Sequence, residues 1–338
     1  MNNSFKGKNG PLLIAEIGGN HEGNFEYAKK LTQLAIESGA DYVKFQIYKG
    51  DTLVSKLESP DRNNHFKKFE LSEEQHIKLA KMVTNAGVKY MASVWDPESI
   101  DWIDDYIQIY KIGSGDLTAY PVLKKTTERN KPMIISTGLS SEEDVVKSIN
   151  YIQSVNPRYK EKDMIGVLQC TSMYPIPLSD SNLSVMDRFR NLTNLTVGYS
   201  DHTEGILALK YAYAMGAEIL EFHFTDDREG KTFRDHKVSL TKTDVHDLIS
   251  EIKLINILRG NEVKSPCEIE IENHHDITFR RAVYPSINIK AGEKINHNNL
   301  TTLRPNHGID ARLYDDLIGK TALIDLEAHQ KLDWKYFN

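Results

Sequence analysis

Short apolar segments alternate with amphipathic stretches eight times over the first three quarters of this chain. Strand-like runs rich in Ile, Val, Leu and Tyr fall at 12–17, 41–47, 88–94, 108–113, 132–137, 164–170, 195–199 and 217–224. Amphipathic stretches such as 26–38, 73–86, 141–153, 204–215 and 242–258 lie between or after them. Several open on a capping residue, as Ser72 does before Glu73 and Glu74. Gly39, Gly87 and Gly216 each sit just before a strand, where helices end. Each crossover is long enough for a helix, so the strands are read as parallel. Eight strand–helix units in about 250 residues is the count of a (β/α)8 barrel. A doubly wound sheet opens with a glycine-rich phosphate loop, and Gly18-Gly19 does not supply one. The expected fold is an α/β TIM barrel over residues 1–259.

The pattern then changes. Residues 260–275 are polar, carry Pro266 and His274-His275, and read as a linker. Residues 276–338 read as short strands and turns, a small β-rich module. Ile289-Lys-Ala-Gly-Glu-Lys-Ile295 resembles Leu326-Glu-Ala-His-Gln-Lys-Leu332, and each copy reaches a hydrophobic residue five positions on, Leu300 and Phe337. Two copies predict a pseudo-symmetric unit.

A chain of 338 residues buries a large core without covalent staples. It has 42 Lys and Arg against 48 Asp and Glu, a formal net charge of −6, which argues against a general nucleic-acid binder. Cys170 and Cys267 cannot make a disulfide framework, so a reducing, cytoplasmic setting is expected. Residues 1–10 lack the apolar run of a secretory signal. No apolar run approaches about 18 residues, so no membrane span is expected.

Barrel active sites form at the C-terminal strand ends. Lys44 and Lys111 lie on strands, and a buried lysine needs an anion nearby. With the hydroxyls of Ser93, Ser114 and Ser200, they suit a phosphate or a carboxylate. The plainer alternative pairs the two lysines with Glu16 and Asp116. His202 and His223 come from adjacent strand ends and suit a divalent metal such as Mn²⁺, Fe²⁺ or Zn²⁺, or else hydrogen-bond as ordinary buried histidines. His223 follows Glu221 by two, so both point to one strand face. Glu16, Asp116, Glu221 and Asp235 are candidates for proton transfer or hydroxyl binding. Cys170 reads as a packing residue. Tyr174-Pro-Ile-Pro177 reads as a stiff pocket wall.

These residues fall in strings that resemble the sialic acid synthases, which make nonulosonic acids. The strings are Ala15-Glu-Ile-Gly-Gly-Asn-His-Glu-Gly23, Val43-Lys-Phe-Gln46, Tyr110-Lys-Ile-Gly-Ser-Gly-Asp116, Ser136-Thr-Gly138, Cys170-Thr-Ser-Met-Tyr-Pro175, Gly198-Tyr-Ser-Asp-His-Thr203 and Glu221-Phe-His-Phe224. In the tail, Arg280-Arg281, Ile289-Lys-Ala-Gly-Glu293 and Leu303-Arg-Pro-Asn-His-Gly308 resemble the family's C-terminal antifreeze-like (SAF) domain. The resemblance covers nearly the whole chain in order. It implies condensation of phosphoenolpyruvate with the open-chain aldehyde of an N-acetylated hexosamine, N-acetylmannosamine or a diacetamido-dideoxyhexose. The product would be a sialic, legionaminic or pseudaminic acid, with phosphate released. Lys44, Lys111, Ser93, Ser114 and Ser200 would hold phosphoenolpyruvate. Mn²⁺ or Mg²⁺ on His202 and His223 would polarise the aldehyde. Glu16 would position water, and Gln46 and Asp235 would contact sugar hydroxyls. Asp116, Ser172, Tyr174 and Glu221 complete the expected substrate site. Arg304 would reach a partner's barrel to bind the sugar's acyl group, which implies a domain-swapped homodimer.

Three positions depart from the family pattern. Ser93-Val94-Trp95 stands for Thr-Pro-Phe, Phe233-Arg234-Asp235-His236 for Gly-Pro-Asp-His, and Ser172 where some members carry Asn. They bear on the sugar rather than the reaction. A Schiff-base aldolase using Lys44 or Lys111 and a non-enzymatic carbohydrate-binding protein are the alternatives. Borohydride trapping with pyruvate distinguishes the first.

Overall fold

The alternation closes on itself. The computed structural model describes residues 4–338. Eight parallel strands follow in chain order: β1 (Gly10–Glu16), β2 (Tyr42–Ile47), β3 (Lys89–Val94), β4 (Tyr110–Ile112), β5 (Met133–Ser136), β6 (Ile165–Cys170), β7 (Thr196–Asp201) and β8 (Ile219–His223). Each pairs with the next. β1 also pairs with β8, Leu12 opposite Ile219 and Glu16 opposite His223, which makes the ring a closed TIM barrel. A two-residue strand, Lys6–Gly7, pairs antiparallel with the start of β1.

Helices fill the crossovers. The one expected near 73–86 spans Glu73–Asn85 and is held by a capping box: the Gln75 backbone N–H donates to Ser72 Oγ, and the Ser72 N–H to Gln75 Oε1. Ser141 with Asp144 and Thr241 with Asp244 repeat the device for Glu142–Val155 and Lys242–Arg259. Between β2 and β3 the sequence pattern marks one helix, and the structure adds another, Pro60–Phe69.

Strand parity sorts the core. Leu13, Ala15, Val43, Phe45, Leu220 and Phe222 pack outward under the helices. Leu12, Ile14, Tyr42, Met91, Ile134, Leu168 and Ile219 pack inward, with Phe5 among them. The fit is tight: a Cβ at Gly198 would run into the Ile219 carbonyl. One step further along the same inward face, the side chains turn polar. Glu16, Lys44, Ser93, Lys111, Ser136, Cys170, Ser200, Glu221 and His223 all line one cavity there. No helix among the described residues is long and apolar enough to cross a membrane.

Contacts divide the chain into two compact units, Met1–Gly260 and Asn261–Asn338. The stretch read as a linker carries a short helix, Glu268–Glu272. In the second unit β9 (Ala282–Pro285) pairs antiparallel with β10 (Leu300–Leu303). The two sequence copies pair with each other, Ile289 and Leu326 exchanging both backbone hydrogen bonds at 2.9 and 2.8 Å. The repeated positions Ile289 and Leu326, Ile295 and Leu332, and Leu300 and Phe337 share one small core. The repeat therefore has a physical role: each half supplies part of a core that neither half closes alone.

Candidate active site

The inward polar layer lines a cavity of about 1020 Å³ at the C-terminal ends of the strands. Its floor is a chain of buried charges. Lys44 pairs with Glu16 and, at 3.1 Å, with Glu221 Oε1. Lys111 lies 3.3 Å from Glu221 Oε2. Glu221 thus bridges both lysines. Of the two carboxylates considered as lysine partners, Glu16 forms an ion pair and Asp116 forms none among the described residues. The lysines also donate to hydroxyls, Lys44 to Ser93 Oγ at 3.3 Å and Lys111 to Ser136 Oγ at 2.7 Å. Gln46 donates to Glu16 Oε1 at 2.9 Å. Ser114 Oγ accepts the Gly138 N–H at 3.0 Å.

Burial acts on all four charges, with different outcomes. It pushes the Glu16 carboxyl up, against the pull of Lys44. It opposes ionisation of Glu221, but Lys111 and Lys44 together bring that carboxyl down to about 2. Burial also draws Lys111 below its ordinary value, partly offset by Glu221. For Lys44, burial is outweighed by Glu16 and Glu221 and the amine ends above its ordinary value. Glu16 is therefore the member of the set readiest to carry a proton.

The imidazoles line the same cavity, His223 two residues beyond Glu221 on β8 and paired in register with Glu16. The His202 and His223 rings lie 5.3 Å apart between centroids. His202 Nδ1 donates to the Thr171 carbonyl at 2.7 Å, which leaves Nε2 as the ring nitrogen outside that bond. His223 Nδ1 is buried without a hydrogen-bond partner among the described residues. Burial holds His223 well below its ordinary pKa, hence neutral. Burial opposes the charge on His202, but Cys170 and the Thr171 carbonyl outweigh it and hold its pKa above the ordinary value. Two imidazoles side by side, one of them neutral with an orphaned nitrogen, fit a divalent cation. No group of three or more His, Cys, Asp or Glu is placed to hold a metal among the described residues. Cys170 Sγ lies 3.9 Å from His202 Nδ1 and lines the cavity.

A family model described as the NeuB family matches residues 31–264, and one for the SAF domain matches residues 280–337. The chain belongs to the NeuB family. It is 34% identical over 92% of its length to 95% of an N,N'-diacetyllegionaminic acid synthase from Campylobacter jejuni. It is 30% identical over 95% of its length to 91% of an N-acetylneuraminate-9-phosphate synthase from Mus musculus. A crystal structure of an N-acetylneuraminic acid synthetase from Leptospira borgpetersenii, in complex with citrate, superposes with a TM-score of 0.72 at 26% identity, covering 79% of this chain and 92% of that one.

In this NeuB-family barrel, Ser172, Tyr174, Asp116 and Asp235 line the same cavity as the lysines and histidines. Tyr174 stacks on His202, with centroids 4.0 Å apart, and the Arg234 guanidinium lies 4.1 Å above the same ring. Arg234 also pairs with Asp235 at 2.8 Å. Arg304 belongs to the second unit, where it is exposed and lies 5.2 Å over the Phe279 ring. Sequence reasoning missed Ser136 as a lysine partner and Tyr48 and Phe66 as the rings beside Trp95, the one of these three it had placed at the sugar pocket. Ser59-Pro60-Asp61 was the available signal for the helix that brings in Phe66, since proline favours the first helical turn.

Burial raises the Asp116 carboxyl to about 6, opposed by Lys111. A carboxyl raised this way favours folding below its unfolded value and loses that contribution as pH rises through 6. Asp116→Asn is expected to raise the unfolding midpoint at pH 8 by roughly 1–3 kcal/mol and to leave it nearly unchanged near pH 4. Thermal melts at the two pH values check this.

Proposed function

We propose that this chain condenses phosphoenolpyruvate with the open-chain aldehyde of an N-acetylated hexosamine, giving a nonulosonic acid and phosphate. The observation that carries the reading is the convergence of two buried lysines and two imidazoles in one cavity of a NeuB-family barrel. Lys44 and Lys111, with the hydroxyls of Ser93, Ser114 and Ser200, would hold the phosphate and carboxylate of phosphoenolpyruvate. Carbon 3 of the enol phosphate attacks the aldehyde carbon, the aldehyde oxygen takes up a proton to become the new hydroxyl, and positive charge develops at carbon 2. The charged floor is fixed before reaction, so it stabilises that change without reorganising. Glu16, raised in pKa and bonded to Gln46, would hold the water that adds to carbon 2 and take up its proton. Phosphate then leaves as the carbon 2–oxygen bond to it breaks, and loss of the second water proton leaves the ketone. Gln46, Asp235 and Ser172 would meet sugar hydroxyls, and Glu221 keeps both lysines in place. His202 and His223 would hold Mn²⁺ or Mg²⁺, which when bound serves as a Lewis acid on a carbonyl oxygen. The proposed setting is the cytoplasm, which supplies phosphoenolpyruvate.

Burial lowers the Lys111 amine as it would that of a Schiff-base lysine, yet the amine stays in an ion pair with Glu221. A phosphate-release assay decides. Phosphoenolpyruvate with a panel of N-acetylated and diacetamido hexoses should release phosphate with Mn²⁺ and none with EDTA. Release that survives EDTA refutes the metal-assisted form.

The homodimer is part of the proposal. Arg304 has the planar fork that suits an acyl oxygen, and its exposure leaves it free to reach a partner's barrel. Mixing Arg304→Ala with His223→Ala protein should restore up to roughly a quarter of the sites, because a two-fold swap puts both lesions in one site and none in the other. If subunits exchange and no activity returns, Arg304 does not act across the interface.

A further inference from the structure

An imidazole that binds a metal is usually fixed by a hydrogen bond from its other ring nitrogen. His202 makes such a bond, to the Thr171 carbonyl at 2.7 Å. His223 Nδ1 makes none among the described residues. One ring touches both imidazoles. Tyr174 lies 4.0 Å from His202 between centroids, at 38°, and meets His223 edge-on at 5.4 Å and 89°. Ring contacts prefer set geometries, so Tyr174 limits how either imidazole can turn.

Tyr174 is itself held from its other face. No hydrogen bond of its hydroxyl is found among the described residues. The Arg234 guanidinium lies 4.1 Å from the ring centroid. A ring face has room for one group at that distance, so Arg234 and His202 take opposite faces. Arg234 is anchored in turn, with Nε and Nη2 each 2.8 Å from Asp235 Oδ1. Asp235 is buried, and its carbonyl accepts the Ser239 hydroxyl at 2.7 Å. Ser239 Oγ accepts Asn20 Nδ2 at 2.8 Å. A chain of contacts thus runs from the loop after β1, through Ser239, Asp235 and Arg234, to Tyr174 and both imidazoles.

We infer that Arg234 is a positioning residue: it holds Tyr174 against His202 and His223 and so presets the imidazole pair for a divalent cation. The inference rests on the reading of those histidines given above. Arg234 is also one of the positions at which this chain departs from the family pattern. The alternative role has the opposite sign. As a bare charge, a guanidinium beside the site repels a divalent cation. Removing a repelling charge tightens metal binding, whereas removing a clamp weakens it.

The test titrates Mn²⁺ into metal-free, full-length protein in a calorimeter, with no substrate present. Arg234→Ala should weaken Mn²⁺ binding about tenfold, as loss of a group that supports a metal ligand does. Arg234→Lys should come back to within about threefold of wild type, because an ammonium also sits over a ring but lacks the planar stack. Tyr174→Phe should stay within about twofold, because the ring makes the contacts and the hydroxyl does not. Phosphoenolpyruvate affinity should stay within about twofold in all three, because Lys44, Lys111 and Glu221 share no partner with Arg234. Unchanged or tighter Mn²⁺ binding in Arg234→Ala overturns the inference. So does a loss in Tyr174→Phe as large as in Arg234→Ala, or a phosphoenolpyruvate affinity that falls in step with that for Mn²⁺. Wild-type protein that binds no Mn²⁺ overturns the metal assignment with it. Mn²⁺ binding that depends on Arg234, in a protein that releases no phosphate with any sugar, supports the inference and overturns the synthase reading alone.

Discussion

Lys44→Met is expected to destabilise the barrel by about 3–5 kcal/mol, because it leaves the buried Glu16 carboxylate without its cation. Glu221 keeps Lys111 at 3.3 Å, so the loss falls mainly on Glu16. The pH dependence gives the mechanism away. Burial already raises Glu16, and removing Lys44 raises it further. A carboxyl raised in the fold contributes stability below its unfolded value and loses it as pH rises through the folded value. The destabilisation should therefore be larger at pH 8 than at pH 5, as read from urea unfolding midpoints. Adding Glu16→Gln should recover part of it, since a neutral amide needs no counter-ion. Equal midpoints for wild type and Lys44→Met at both pH values would show that the pair carries no weight. Lys111→Met separates function from stability: Lys44 still pairs with Glu221, while phosphoenolpyruvate affinity should fall by roughly 2–5 kcal/mol in calorimetry.

The second large effect is on catalysis. His223→Ala is expected to lower kcat by about three orders of magnitude or more, the several kcal/mol associated with losing a Lewis acid. The neutral His223 ring, whose Nδ1 has no hydrogen-bond partner among the described residues, lies beside His202 in the cavity. Phosphoenolpyruvate binding should survive, because both lysines and Glu221 are untouched. Mn²⁺ binding followed by calorimetry should weaken in parallel with kcat. Full turnover in the variant, or in enzyme stripped by EDTA, would sink the assignment of these histidines.

Strand parity explains why so much of the site was legible in advance. A period of two is local, so once β1, β2 and β8 are placed, Glu16, Lys44, Glu221 and His223 must face the axis. Direct similarity of two segments identified the half-repeats of the second unit, whose matched positions Ile289 and Leu326 meet across a bridge. Of the plainer alternative, in which Glu16 and Asp116 serve the two lysines, the Glu16 pair is present and no Asp116 ion pair is found among the described residues, because proximity in sequence is not proximity around a ring. Glu221 reaches both lysines only because β8 closes against β1.

The sequence by itself determined the eightfold strand–helix alternation, the closed class of fold it implies, and which side chains point inward. These depend on periodicity and on capping within one turn of chain, which neighbouring residues set between them. The tertiary structure decided which carboxylate serves which lysine, that His202 commits Nδ1 to the Thr171 carbonyl, and that Phe66 joins Tyr48 and Trp95. Those outcomes depend on ring closure and on how the Pro60–Phe69 helix packs beside the strand ends. Both bring together groups far apart in the chain, and no local pattern encodes their contact.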